Sequence, residues 1–338
     1  MADAKLKIEI LKFASRDGAY HRLPSVFRNF IGNTPSDKFK PQAGRYHLYV
    51  SFACPWAHRT LIARKLKGLS DIIDVSVVHW LMDERGWRFL TAEEQKKLEG
   101  PGDLKYGTVD HVYGVERIKD LYFKANPDYE GRFTVPVLWD KHEQTIVNNE
   151  SSEILRIFNT GFNSILPSEY GAVDIYPEDL QKDIDEINSW IYDNINNGVY
   201  KSGFATSQEV YDKEVVNVFE NLDRVEAILK QNHEVGKQFL LGNQLTEADI
   251  RLYTTIVRFD CVYHQHFKCN IRMVRHDYPH LHYWLRLLYW KIPGFKETTD
   301  FDHIKFHYTK SHIAINPNRI TPVGPIPNIM PLGADEKL

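Results

Sequence analysis

A change of pattern at Pro167 constrains this chain more than any other feature. Before it, short alternating segments and helical runs are interleaved; after it, no strand signal returns. Tyr46, Leu48 and Val50 alternate with His47, Tyr49 and Ser51, which is the period of a strand. A helical run through Leu61, Ile62 and Leu66 begins at Pro55, and Ile72 to His79 reads as a second strand. Val115 to Lys124 reads as a helix, with Val115, Ile118, Leu121 and Tyr122 on one face. Phe133 to Trp139 and Thr145 to Val147 read as a hairpin around Asp140-Lys141, followed by a helix from Ser151 to Asn159. The order over 45–160 is therefore β-α-β-α-β-β-α. Long amphipathic segments then follow at about 176–197, 208–231, 246–266 and 277–290. Mixed elements followed by helices alone predict two domains, one α/β and one all-α. A length of 338 residues also exceeds one typical core.

Four segments result. Residues 1–44, with turn formers such as Gly32-Asn33-Thr34-Pro35, form an extended arm. Residues 45–160 form the α/β domain, interrupted by a polar and aromatic insert at 83–112. Residues 170–304 form the helical domain, and 305–338, rich in Pro, Asn and His, form a tail that packs on the surface. The chain holds 18 Phe, 18 Tyr and 7 Trp, enough to fill both cores and to line a pocket for a flat ligand. A net charge of -3 with no basic block gives a nucleic-acid partner no electrostatic support. No apolar run reaches the length of a membrane span. Met1 to Phe13 scatters Asp3, Lys5, Lys7, Glu9 and Lys12 among its apolar residues, unlike a signal or transit peptide. Three cysteines, Cys54, Cys261 and Cys269, fit a reducing compartment better than a disulfide framework. These features together point to the cytoplasm.

The chemistry concentrates where the first strand turns into a helix, at Ser51-Phe52-Ala53-Cys54-Pro55-Trp56-Ala57. First-turn N–H groups have no intrahelical partner, and the helix dipole adds partial positive charge. A thiolate at Cys54 is stabilised there, and the thiolate is the attacking form. Proline is favoured at the first helical position, which supports the placement. A small buried hydrophobe is the plainer role for a cysteine, but its position at a helix start favours the nucleophile. A dithiol motif would carry a second cysteine at Ala57; its absence means an external thiol must complete any redox cycle.

Two further segments invite a ligand, though each alone has an ordinary structural explanation. Val135-Pro136 places a proline inside an apolar strand, where it removes a ladder donor. A cis bond there would leave the backbone of Val135 to pair with a peptide-like ligand. Glu150-Ser151 opens a helix whose bare N–H groups suit a carboxylate; taken alone, an ordinary cap with Glu153 as reciprocal partner explains it better. Thr246-Glu247-Ala248-Asp249 has capping-box spacing and reads as structure. His264, His266 and Cys269 match no common zinc spacing, so no metal is expected.

Together, Cys54-Pro55, Val135-Pro136 and Glu150-Ser151 resemble the glutathione-site marks of the glutathione transferase superfamily. That resemblance implies an α/β thioredoxin-like N-terminal domain plus an all-α C-terminal domain. Four finer segments resemble one branch, the xi class or glutathionyl-hydroquinone reductases. They are Ser51 to Arg59, Gly86-Trp87, Asn197 to Ala205, and the run from His307 through Ser311-His312 and Ile315-Asn316-Pro317 to Gly324-Pro325. The resemblance spans about Gly32 to Gly324. It implies glutathione as co-substrate, glutathionylated quinones as partners, and a homodimer joined through the helical domain. It implies that Trp87, Val135, Pro136, Glu150 and Ser151 bind glutathione. It further implies that Tyr200 and Tyr308 serve as acids or hydrogen-bond donors to the quinone, with Tyr253 a third hydroxyl. An omega-type thiol transferase or dehydroascorbate reductase would use the same Cys54 on another electrophile. A non-catalytic binding module of this fold would have no use for an activated cysteine.

Overall fold

The computed structural model describes residues 24–98, 106–333 and 336. The first 23 residues of the expected arm, and 99–105 of the insert, lie outside the described residues. The chain divides into two compact units. One contains Leu23–Asp174 with Thr298–Ile313, and the other Ile175–Glu297 with Ala314–Leu338.

The first unit is built on a mixed four-stranded sheet in the order β2-β1-β3-β4. β1 (Tyr46–Val50) runs parallel to β2 (Asp74–Val77) and antiparallel to β3 (Val137–Asp140), which pairs with β4 (Thr145–Asn148). A parallel pair needs a crossover, and α1 (Pro55–Leu66) supplies it. Central β1 is buried at every residue. Its one imidazole, His47, is accommodated because Nε2 lies 2.8 Å from Ser76 Oγ on the neighbouring strand. Short α2 (Ala92–Lys97) lies in the insert, α3 (Ile118–Ala125) follows it, and α4 (Ser151–Thr160) follows the hairpin.

The elements are shorter than their apolar patterns, for traceable reasons. Ile72 and Ile73 turn back to donate to Leu69 O, so β2 starts at Asp74. Val115 donates its N–H to the Asp110 carboxylate and belongs to the preceding loop, so α3 starts at Ile118. Pro136 has no N–H, and Thr134 donates to the Tyr122 hydroxyl instead of a strand, so β3 starts at Val137 and not at Phe133. Asp140 shapes the hairpin turn by accepting from the N–H groups of His142 and Glu143 and pairing with Arg45 at 2.5 Å.

The second unit is helical: α5 (Gln181–Ile191), α6 (Gly198–Gly203), α7 (Gln208–Glu234), α8 (Glu247–Arg258) and α9 (Pro279–Lys291). Wide π turns extend α5 over Tyr192–Asn196 and α8 over Phe259–Tyr263. The capping box forms between Thr246 and Asp249. Asp249 also accepts from Leu240 N and Trp284 Nε1, so one buried carboxylate organises three segments. Gly203 permits a close approach, since a Cβ there would stand 2.1 Å from the Phe267 ring. From Ala314 onward the chain lies on this unit, with Arg275 donating to Asn328 O and Trp290 to Met330 O.

The expected break at 304/305 falls inside a helix, α10 (Phe301–Ser311), which belongs to the first unit. His58 on α1 pairs with Thr298 at 2.9 Å, and Ser51 lies 3.4 Å from His303 Nε2. The residues buried on α10 include His303, Lys305, His307 and Ser311. A packed face on which polar residues outnumber Ile304 and Tyr308 gives only a weak apolar period for the sequence to show. Among the described residues, no helix is long and apolar enough to cross a membrane.

Candidate active site

Cys54 is the N-cap of α1, with extended backbone at φ -74° and ψ 116°. Ser51 builds the turn before it: its carbonyl accepts from Cys54 N at 3.2 Å and its hydroxyl from Ala53 N at 3.2 Å. Cys54 Sγ accepts from Ala57 N at 3.5 Å, one of the first-turn donors that lack an intrahelical partner. No acidic residue stands in this first turn to oppose negative charge on sulfur. Charge on the sulfur would strengthen that hydrogen bond, whereas the neutral thiol donates to Val135 O at 3.5 Å. Cys54 is half-buried, whereas Cys261 and Cys269 are buried. Burial pushes the Cys269 thiol up to about 12, which leaves it protonated and inert at neutral pH.

The Val135-Pro136 bond is cis, and Val135 O lies 3.5 Å from Cys54 Sγ. Val135, read as ligand-binding, thus stands beside Cys54. Glu150 is the N-cap of α4, where its carboxylate accepts from Ser152 N at 3.2 Å and from the Ser25 hydroxyl at 3.2 Å. Glu153 does not close a reciprocal box; it pairs with Arg28 at 2.5 Å. Ser151 is buried at the first helical position, and its hydroxyl accepts from Arg59 Nη1 of α1 at 3.4 Å. Having accepted from a guanidinium, that hydroxyl keeps its own proton for another acceptor.

Trp87 lies flat against His307 of α10, with ring centroids 4.8 Å apart and planes inclined by 25°. His307 Nδ1 lies 2.8 Å from Trp80 O. A carbonyl only accepts, so Nδ1 carries the proton and the ring orientation is fixed. Tyr308 is 1% exposed and packs edge-on against His307 and His312. Tyr200 and Tyr253 belong to the other unit. Tyr200 sits among Phe204, Tyr263 and Phe267, and buried Tyr253 donates its hydroxyl to Phe295 O at 3.4 Å. Among the described residues, no three His, Cys, Asp or Glu side chains are grouped to hold a metal ion.

Within the first unit the structure thus joins Cys54 to Val135, Ser151 to Arg59, and Trp87 to His307. Sequence reasoning missed the contacts of Arg59 with Ser151 and of His307 with Trp87. Arg59 was legible only as part of the Cys-Pro segment, and His307 only as part of the run toward Pro325.

The glutathione S-transferase N-terminal domain family matches residues 53–160, and its C-terminal domain family matches 208–287. Glutathione S-transferase omega-like 2 of Schizosaccharomyces pombe is 55% identical over 322 residues, covering 95% of this chain and 97% of its own. Glutathionyl-hydroquinone reductase YqjG of Escherichia coli is 52% identical over 317 residues, covering 92% and 90%. The crystal structure of the Xi glutathione transferase ECM4 from Saccharomyces cerevisiae in complex with glutathione superposes with a TM-score of 0.86 at 51% identity, covering 92% of this chain and all of that one (100%).

Proposed function

The chain belongs to the xi class of the glutathione transferase family, and from that premise we propose that it reduces S-glutathionyl hydroquinones. It is a glutathione-dependent enzyme of that family; the reaction assigned to it here is our reading. Cys54 thiolate attacks the sulfur of the conjugate. A Cys54–glutathione disulfide forms as the carbon–sulfur bond breaks, and the ring carbon takes the electron pair and a proton. A second glutathione then attacks the mixed disulfide, releasing Cys54 and glutathione disulfide. The observation that carries this reading is a single capping thiol, with alanine where a resolving cysteine would stand.

Trp87, Val135, Pro136, Glu150 and Ser151 are the glutathione contacts in this scheme. Tyr200 and Tyr308 stabilise or protonate the leaving ring, and Tyr253 is the third hydroxyl of the set. We place the enzyme in the cytoplasm as a homodimer that uses no metal. A second reading rests on the omega-like name of a relative: an omega-type thiol transferase or dehydroascorbate reductase with the same Cys54. Turnover of a glutathionyl hydroquinone, measured beside dehydroascorbate and a small mixed disulfide, separates the two. A conjugate turned over at least tenfold faster than the others supports the reductase, and the reverse order refutes it.

A further inference from the structure

We propose that Tyr122 is a positioning residue for glutathione, its one hydroxyl joining the Thr134-Val135-Pro136 segment to the Asn149-Glu150-Ser151 helix entry. This inference rests on the reading that those two segments hold glutathione. Tyr122 is on α3, fully buried, and burial pushes its pKa up, so the hydroxyl keeps its proton. It donates to Thr134 O at 2.9 Å, and accepts from Thr134 N at 3.3 Å and from Asn149 Nδ2 at 3.1 Å. A phenol has one proton and two acceptor sites, and Thr134 Oγ1 also lies 3.2 Å away, so the contacts from these two segments use its whole capacity. On one side the next residue is Val135, whose carbonyl faces Cys54 Sγ at 3.5 Å. On the other it is Glu150, the cap of α4. One atom therefore sets the spacing between the segment beside the nucleophile and the segment read as taking the glutamyl end.

Asn149 passes the constraint on. Its Oδ1 accepts from Phe27 N at 3.2 Å, and its own N–H donates to Phe27 O at 3.1 Å. The Tyr122 ring packs separately against Phe27, Tyr129 and Phe133, with centroids at 6.0, 4.9 and 5.6 Å. Phenylalanine would keep those ring contacts and lose only the hydroxyl. The sulfur's bond to Ala57 N does not pass through Tyr122.

The test is Tyr122→Phe, with glutathione affinity measured by titration calorimetry and the rate of Cys54 alkylation by iodoacetamide followed in parallel. If loosening the two segments lowers the binding-competent fraction to about a tenth, Kd rises about tenfold. Alkylation should stay within about threefold of wild type, which a general loss of structure would not allow. Asn149→Ala cuts the same bridge from its other end and serves if the first variant folds poorly. The two together should be clearly less than additive. Kd within twofold of wild type in Tyr122→Phe, beside losses in Glu150→Ala and Ser151→Ala, would overturn the positioning role alone. Unchanged affinity in both of the latter would overturn the placement of glutathione and this inference with it.

Discussion

Replacing Cys54 by serine separates the proposed chemistry from architecture, because one side chain is assigned both. As N-cap of α1, Cys54 Sγ accepts from Ala57 N at 3.5 Å. Serine is among the preferred N-cap residues, and its oxygen accepts the same kind of bond. Stability should therefore hold or rise by up to about 1 kcal/mol, which for a large domain is about 2–4 °C in Tm. Cys54→Ala has no acceptor and should melt below the serine variant by a similar amount. Activity should move the other way. A serine hydroxyl cannot form the mixed disulfide, so reduction of a glutathionyl hydroquinone should fall by on the order of 10³-fold or more in both variants. Glutathione affinity should stay within about threefold, since the contacts assigned to glutathione lie elsewhere. Scanning calorimetry reads the first quantity, and chromatography of released hydroquinone and glutathione disulfide reads the second. A serine variant keeping a tenth or more of wild-type turnover would refute Cys54 as nucleophile. A serine variant melting well below the alanine variant would refute the capping geometry.

Three other outcomes are expected. Iodoacetamide at pH 7.5 should add one label per folded chain, at Cys54, because Cys261 and Cys269 are buried; peptide mass mapping that finds the label on either of those would contradict the assignment. Tyr200→Phe and Tyr308→Phe should each slow conjugate reduction by about 10²–10⁴-fold, the usual cost of losing a positioned acid, while sparing a simple mixed disulfide whose leaving thiolate needs no help; equal losses on both substrates would refute the role. Burial holds His47 down to about 4, whereas an unfolded histidine titrates near 6.5. Between those pH values the unfolded chain takes up a proton that the folded chain refuses, so stability falls as pH falls, by roughly 2 kcal/mol at pH 5. Urea denaturation of wild type and His47→Gln at pH 7 and pH 5 should show a smaller loss in the variant, and identical losses would contradict it.

What the sequence revealed of the fold follows from which elements bury aliphatic side chains. β1 is buried at all five positions, with Leu48 beside Val75 and Leu138, so its apolar run stood out. The capping box at Thr246 was legible because its two side chains are three positions apart in one continuous helix start. Short α6 was missed, since glycines at 198 and 203 weaken any helical signal; Gly203 is retained because the Phe267 ring occupies the space of its Cβ. α10 was missed for the opposite reason. It is well buried, but largely through polar residues, of which His303, His307 and Ser311 have partners more than two hundred residues away.

The candidate site divides along the same line. Cys54 could be read locally, because helix-start electrostatics depend only on the strand, the turn and the proline that follow one another in sequence. The supports could not, because each is a bond between distant segments. Arg59 reaches Ser151, Tyr122 reaches both Thr134 and Asn149, and His307 lies against Trp87. The partners are residues read from sequence, Ser151 and Trp87, or their chain neighbours, Thr134 beside Val135 and Asn149 beside Glu150. A tyrosine on an apolar helix face and a histidine in a polar segment carry no mark of such a task. Their hydrogen-bond valences do: a phenol whose contacts all go to Thr134 and Asn149, and an imidazole whose Nδ1 proton is committed to one carbonyl, are each held in a single orientation. A cysteine's place at a helix start can thus be inferred from one stretch of chain, but the bonds that hold its neighbours in place are a property of pairs.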